Sequence, residues 1–144
     1  VNLATFAPAI FSTNAGGSGQ GAILDQSYFL VDSASPATPG STALRSCCTG
    51  LGPVTNPPQT GSPAALSPLA YTTLTPTVTI GDVPAEVLFS GLAPGYVGLY
   101  RMNARVPAGL AASGAVPVAI SNDCGAIARD HVPNVSACRT ERSR

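Results

Sequence analysis

The stretch Thr77-Val78-Thr79-Ile80-Gly81-Asp82-Val83-Pro84-Ala85-Glu86-Val87-Leu88-Phe89 decides the fold. Val78 and Ile80 alternate with Thr77 and Thr79, Gly81-Asp82 supplies a tight turn, and Val83, Ala85, Val87 and Phe89 alternate with Pro84, Glu86 and Leu88. Period-two alternation on both sides of a two-residue, Gly-containing turn specifies a β-hairpin with one apolar and one largely polar face. Outward from the hairpin, Ser90-Gly91-Leu92-Ala93-Pro94-Gly95 reads as a loop and residues 96–106 as a further strand. That strand carries β-formers on both faces at its start, then sets Arg101, Asn103 and Arg105 on one side against Tyr100, Met102 and Ala104. No catalytic or ligand-binding motif lies in this stretch, so it speaks to architecture before function.

Composition supports the same class. A chain of 144 residues suits one domain, which on folding buries roughly two-thirds of its unfolded surface. Its 15 Gly and 14 Pro disfavour long helices, because Pro removes an amide donor and Gly costs backbone entropy. The best helical segment, residues 108–115, is short and interrupted by Gly109 and Gly114, and reads as a loop. The expected fold is all-β: an antiparallel β-sandwich, Ig-like, with long Pro/Gly-rich loops at residues 33–40 and 53–68. The expected division is an N-terminal strand or exchangeable arm (residues 1–14), the sandwich (15–121), and a Cys- and Arg-containing tail (122–144).

Several separated motifs point in one direction. The run Val78-Thr79-Ile80-Gly81 to Val83-Pro84-Ala85-Glu86-Val87-Leu88-Phe89 is followed by Gly91-Leu92-Ala93-Pro94-Gly95-Tyr96-Val97-Gly98-Leu99-Tyr100 and Asn103. Upstream stand Ala7-Pro8-Ala9-Ile10-Phe11 and Thr49-Gly50-Leu51-Gly52-Pro53-Val54. Together they resemble the uncharacterised C-terminal domain family of large secreted acidobacterial (Solibacter-type) proteins, from about Thr5 to about Ser121. That family has no established biochemical activity, so the resemblance implies a secreted all-β module and carries over no active site. Two segments depart from its pattern. Ala43-Leu44-Arg45-Ser46-Cys47-Cys48 replaces an apolar strand, and Asn122-Asp123-Cys124-Gly125 with the tail Cys138-Arg139-Thr140-Glu141-Arg142-Ser143-Arg144 replaces a Gly-rich hairpin. A reading-frame shift in the gene or its sequencing is the hypothesis for one or both, and tryptic peptides matching the tail would exclude a sequencing error.

Seven acidic residues balance seven basic ones, and every basic residue is arginine. A net charge of zero argues against nucleic acid, whose binding demands a basic face that neutralises phosphates. Four of the seven arginines lie at or after Arg129, so the tail alone is locally basic and reads as a solvated end. Low charge with abundant Thr, Ser, Ala and Gly leaves a surface suited to packing against copies of itself.

Four cysteines in an exported chain imply disulfides. Pairing Cys124 with Cys138 closes a loop worth roughly 3 kcal/mol in the chain-entropy model. Adjacent Cys47 and Cys48 are poorly placed to bond each other, and each points to an opposite strand face or reaches a distant partner, including the tail. A zinc site is the weaker alternative, since no Cys-x-x-Cys occurs and His131 is the one histidine. No metal or cofactor is expected. No apolar run approaches the ~20 residues that span a bilayer. A start at Val1 without Met fits a processed exported protein, a fragment of a precursor or an unusual start codon. The expected location is secreted or cell-surface.

Three functional classes follow. The first is a structural or adhesive module that associates with itself or a cell-surface polymer: residues 1–11, followed by the flexible Gly16-Gly17-Ser18-Gly19, form either an arm adding a strand to the next subunit or an ordinary edge strand folded back. The second is a carbohydrate-binding accessory module, with Tyr71, Tyr96 and Tyr100 as sugar-stacking candidates in a chain without Trp. Tyr28-Phe29 and Tyr100 are expected in the core or in cross-strand packing. The third, a small hydrolase, would need His131 beside Asp130 with Ser136 or Ser121, or carboxylate pairs drawn from Asp25, Asp32, Asp82, Glu86 and Asp123. No Gly-x-Ser-x-Gly elbow supports it.

Overall fold

The computed structural model describes residues 5–110 and 115–122, together with the backbone of residues 126–130. The described residues contain no helix. They form strands β1 (Ala9–Ile10), β2 (Ile23–Leu24), β3 (Ala43–Thr49), β4 (Thr77–Ile80), β5 (Val83–Ala85), β6 (Val87–Leu92), β7 (Tyr100–Arg105), β8 (Val118–Asn122) and β9 (Ala126–Asp130). Two antiparallel sheets result: a five-stranded one in the order β1-β3-β7-β6 with β2 also on β3, and a four-stranded one in the order β5-β4-β8-β9. The architecture is an all-β, sandwich-like fold.

The hairpin forms as the alternation predicts. Gly81 and Asp82 have φ of 59° and 62°, both in the left-handed region that a two-residue type I′ turn requires. Val78 and Ile80 are buried, while Thr77 faces solvent. The return segment, however, is two strands rather than one. β5 stays with β4, and after Glu86 the chain crosses to the other sheet as β6, with a bulge between Val87 and Phe89. Arg105 pins this corner twice: its amide donates to the Glu86 carbonyl and its Nε to Glu86 Oε2, both at 2.9 Å. Two boundaries also move. Ser90, Gly91 and Leu92 belong to β6 rather than a loop, and β7 begins at Tyr100, leaving Tyr96 and Val97 in an exposed loop.

The outer edge of β3 is covered by a composite strand. Ala9 and Ile10 pair with Thr49 and Cys48, whereas Ile23 and Leu24 pair with Ser46 and Arg45. At the junction, the Phe11 amide donates to the Cys47 carbonyl and the Cys47 amide to the Ala22 carbonyl, so Phe11 and Ala22 share one position opposite Cys47. The intervening residues leave as a small hairpin closed by Ala22 N–H to Phe11 O and Thr13 N–H to Gln20 O. Residues 7–11 thus run along β3 and the adjoining Gly50 of their own chain.

The core between the sheets holds Val78, Ile120, Met102, Val106, Cys48 and Leu51, all fully buried. Leu51 reaches it because Gly50 and Gly52 adopt φ of 72° and 88°. A side chain at Gly50 would strike the Ala7 carbonyl and one at Gly52 the Phe6 ring. The Thr49-Gly50-Leu51-Gly52 segment is therefore a structural joint that seats the N-terminal stretch. Two side chains clamp it from both sheets: Tyr100 Oη donates to the Gly52 carbonyl at 2.5 Å, and Asn122 Nδ2 to the Leu51 carbonyl at 3.3 Å. The long segments 33–40 and 53–68 carry no strand, only single bridges at Val54 and Ala64.

Candidate functional site

Strand alternation sends Leu44, Ser46 and Cys48 of β3 inward and leaves Ala43, Arg45 and Cys47 on the outer face of the five-stranded sheet. The register then fixes their neighbours. Cys47 lies opposite Arg101, Arg101 opposite Gly91, and Gly91 opposite Tyr71, whose short segment bridges to the free side of β6. In the adjacent row Leu24 lies opposite Arg45, Arg45 opposite Asn103, and Asn103 opposite Phe89. A third row pairs Ala43 with Arg105. The arginines with described side chains, Arg45, Arg101 and Arg105, thus all stand on one face.

Aromatic rings frame these guanidiniums. Arg45 lies over the Tyr28 ring at 4.1 Å from its centre, and Arg101 over the Phe89 ring at 4.8 Å. Tyr71 tilts against Phe89, centroids 5.4 Å apart at 56°. Gly91 makes this possible, since a side chain there would meet the Ala70 carbonyl and the Phe89 ring. Tyr28 is 64% exposed and Tyr71 48% exposed, so both ends of the stripe offer ring surface. From β3 to the Tyr71 segment is three strand spacings, roughly 14 Å.

The polar groups between the rings are under-used. Arg45 Nη1, Arg101 Nε and Asn103 Oδ1 are shielded from solvent without a hydrogen-bond partner among the described residues. The ion pair the described residues contain, Arg105 with Glu86, leaves Arg45 and Arg101 unmatched by a carboxylate. Buried polar atoms of this kind normally find a partner in the protein or in an ordered water. Stacking occupies the flat faces of a guanidinium but leaves its edge N–H groups free to donate in-plane. Beside Arg101, burial pushes the Cys47 thiol up, and the guanidinium pulls it the other way.

The sugar-stacking candidates separate. Tyr71 lies on this face. Tyr96 sits in the 94–98 loop, its carbonyl accepting from Ala64 N–H, and Tyr100 turns inward, packed against both buried clusters. Tyr28 and Phe29, expected in packing, are instead 64% and 67% exposed. The cause is a local turn: Asp25 Oδ1 accepts from the Ser27 and Phe29 amides, and Tyr28 adopts φ of 67°, lifting both rings off the core. Sequence reasoning had set Arg101 and Asn103 on one side of a strand, but the register that brings Arg45, Phe89 and Tyr28 to them was not visible.

Cys47 and Cys48 carry free thiols on opposite faces of β3. Cys124 and Cys138 lie outside the described residues, as do His131, Ser136 and Asp123, and only the backbone of Asp130 is described. Ser121 is half-buried on β8. Among the acids, Asp25 and Asp32 accept loop amides, Asp82 sits in the β4–β5 turn and Glu86 pairs with Arg105. Among the described residues, no group of three or more His, Cys, Asp or Glu able to hold a metal occurs, and there is no helix long and apolar enough to cross a membrane. No known family model, curated protein or solved structure matches the chain.

Proposed function

We propose that the chain is a secreted or cell-surface adhesive β-module that holds a glycan polymer on the outer face of its five-stranded sheet. The observation that carries this is the aromatic-bracketed stripe from Tyr28 and Arg45 to Arg101, Phe89 and Tyr71, with the Tyr28 and Tyr71 rings exposed at its ends. Exposed rings stack on sugar faces, and flat, rigid sheets present them at fixed spacing. The resemblance to the uncharacterised C-terminal domain family of secreted acidobacterial proteins supports an extracellular setting, in which Cys124 and Cys138 would pair. Affinity electrophoresis through gels containing neutral and acidic glycans is the test. Retardation that is lost in Tyr28→Ala and Tyr71→Ala supports the proposal, and mobility unchanged in every gel refutes it.

Self-association by strand exchange is the second proposal. The composite edge favours it: β1 contributes a single buried side chain, Ile10, and the excursion between Phe11 and Ala22 could serve as a hinge. Light scattering across concentrations, with and without residues 1–11, tests it. A concentration-independent monomer would count against exchange.

A further inference from the structure

We infer that the polymer recognised by this face is acidic, a glycan bearing carboxylates, with Arg45 and Arg101 as the residues that select it. This rests on the glycan-binding proposal and narrows its ligand class.

Charge sets the argument. Arg45 and Arg101 are diagonal neighbours across β3 and β7, since Arg45 pairs with Asn103 and Arg101 with Cys47. Diagonal positions stand roughly 7–8 Å apart. Each guanidinium is stacked on a ring, each has a shielded nitrogen without a partner, and neither meets a carboxylate among the described residues. Elsewhere the fold does match its charges: Arg105, on the same face, is neutralised by Glu86 at 2.9 Å.

Two stacked, unmatched arginines flanking an amide are a receptor for planar anions. A guanidinium edge donates two parallel N–H bonds to a carboxylate, geometry that a hydroxyl cannot reproduce. Asn103 stands between them, with its Oδ1 shielded from solvent. Tyr28 and Tyr71 would take ring faces on either side. Nucleic acid fits less well, because the chain carries zero net charge and its binding relies on a broad basic surface.

The test compares binding of the full chain to polygalacturonate, to a highly methyl-esterified form of the same polymer, and to dextran sulfate, by titration calorimetry at two salt concentrations. Polygalacturonate is expected to bind at least tenfold more tightly than its ester. Arg45→Gln and Arg101→Gln should each weaken it about tenfold, whereas Arg105→Gln should change it less than twofold. Circular dichroism melting confirms that each variant folds. Equal affinity for acid and ester overturns the inference while leaving glycan binding in place. Dextran sulfate binding as tightly as polygalacturonate, with Arg105→Gln as damaging as the others, reduces it to unselective charge and also overturns it. Binding to none of these or to neutral glycans refutes both.

Discussion

The Arg101 guanidinium lies 4.8 Å above the Phe89 ring, and the strand position beside them is Gly91. The stack exists because that position carries no side chain. Gly91→Ala would press a methyl against the Ala70 carbonyl and the Phe89 ring. The expected result is a loss of about 1–3 kcal/mol, the cost of overpacking a tight site. Urea unfolding measures it. Ligand binding should fall further than stability alone explains, because the ring must shift from beneath Arg101.

Tyr100→Phe removes the bond to the Gly52 carbonyl while leaving the ring against both clusters. The expected cost is about 1–2 kcal/mol, the penalty of a partly buried carbonyl left unpaired. Amide hydrogen exchange should quicken in the Gly50-Leu51-Gly52 joint more than in β4.

Ser46 is fully buried, and its hydroxyl has no partner among the described residues. Replacing it with an apolar group of similar size should help rather than harm. Ser46→Ala is expected to raise unfolding free energy by about 1 kcal/mol. No gain, or a loss, would mean that the hydroxyl is satisfied in solution.

Cys48 gives a pH dependence of definite sign. Burial, followed by the neighbouring Cys47, raises its thiol from 9.0 to about 12. Between those values the folded state holds a proton that the unfolded state has lost, so stability falls as pH rises. The contribution is fully present below pH 9.0 and declines upward toward pH 12. Tyr100, whose hydroxyl is also raised by burial and by Cys48, acts in the same direction. Denaturation midpoints should therefore drop above pH 9 in the native chain, and drop less steeply in Cys48→Ala.

Much of the fold was legible because local chemistry decides it. The Gly81-Asp82 turn and the alternation of Val78 and Ile80 with threonines specify the hairpin from local sequence alone. The corner at Glu86 was not legible, because period-two alternation continues through it while the hydrogen-bond partners change from β4 to β7. The segment from Ala43 to Cys48, unlike an ordinary apolar strand, nevertheless forms one, since pairing with β7 supplies what composition does not. The proposed ligand face was only partly readable. Tyr71 could be named from its residue type, but Arg45 and Arg101 become a pair only once β3 and β7 are in register. Tyr28 was misplaced because an aspartate-capped turn outweighs the tendency of aromatic rings to bury.

The central claim is that the outer face of β3, β7 and β6 holds an acidic glycan. NMR titration of the labelled protein with an oligogalacturonate tests it most directly. The account predicts shifts at the Nε–H groups of Arg45 and Arg101, the Asn103 side chain, and the rings of Tyr28 and Tyr71. Shifts confined to the exposed loop residues Tyr96 and Val97, or none on this face at saturating ligand, would contradict it.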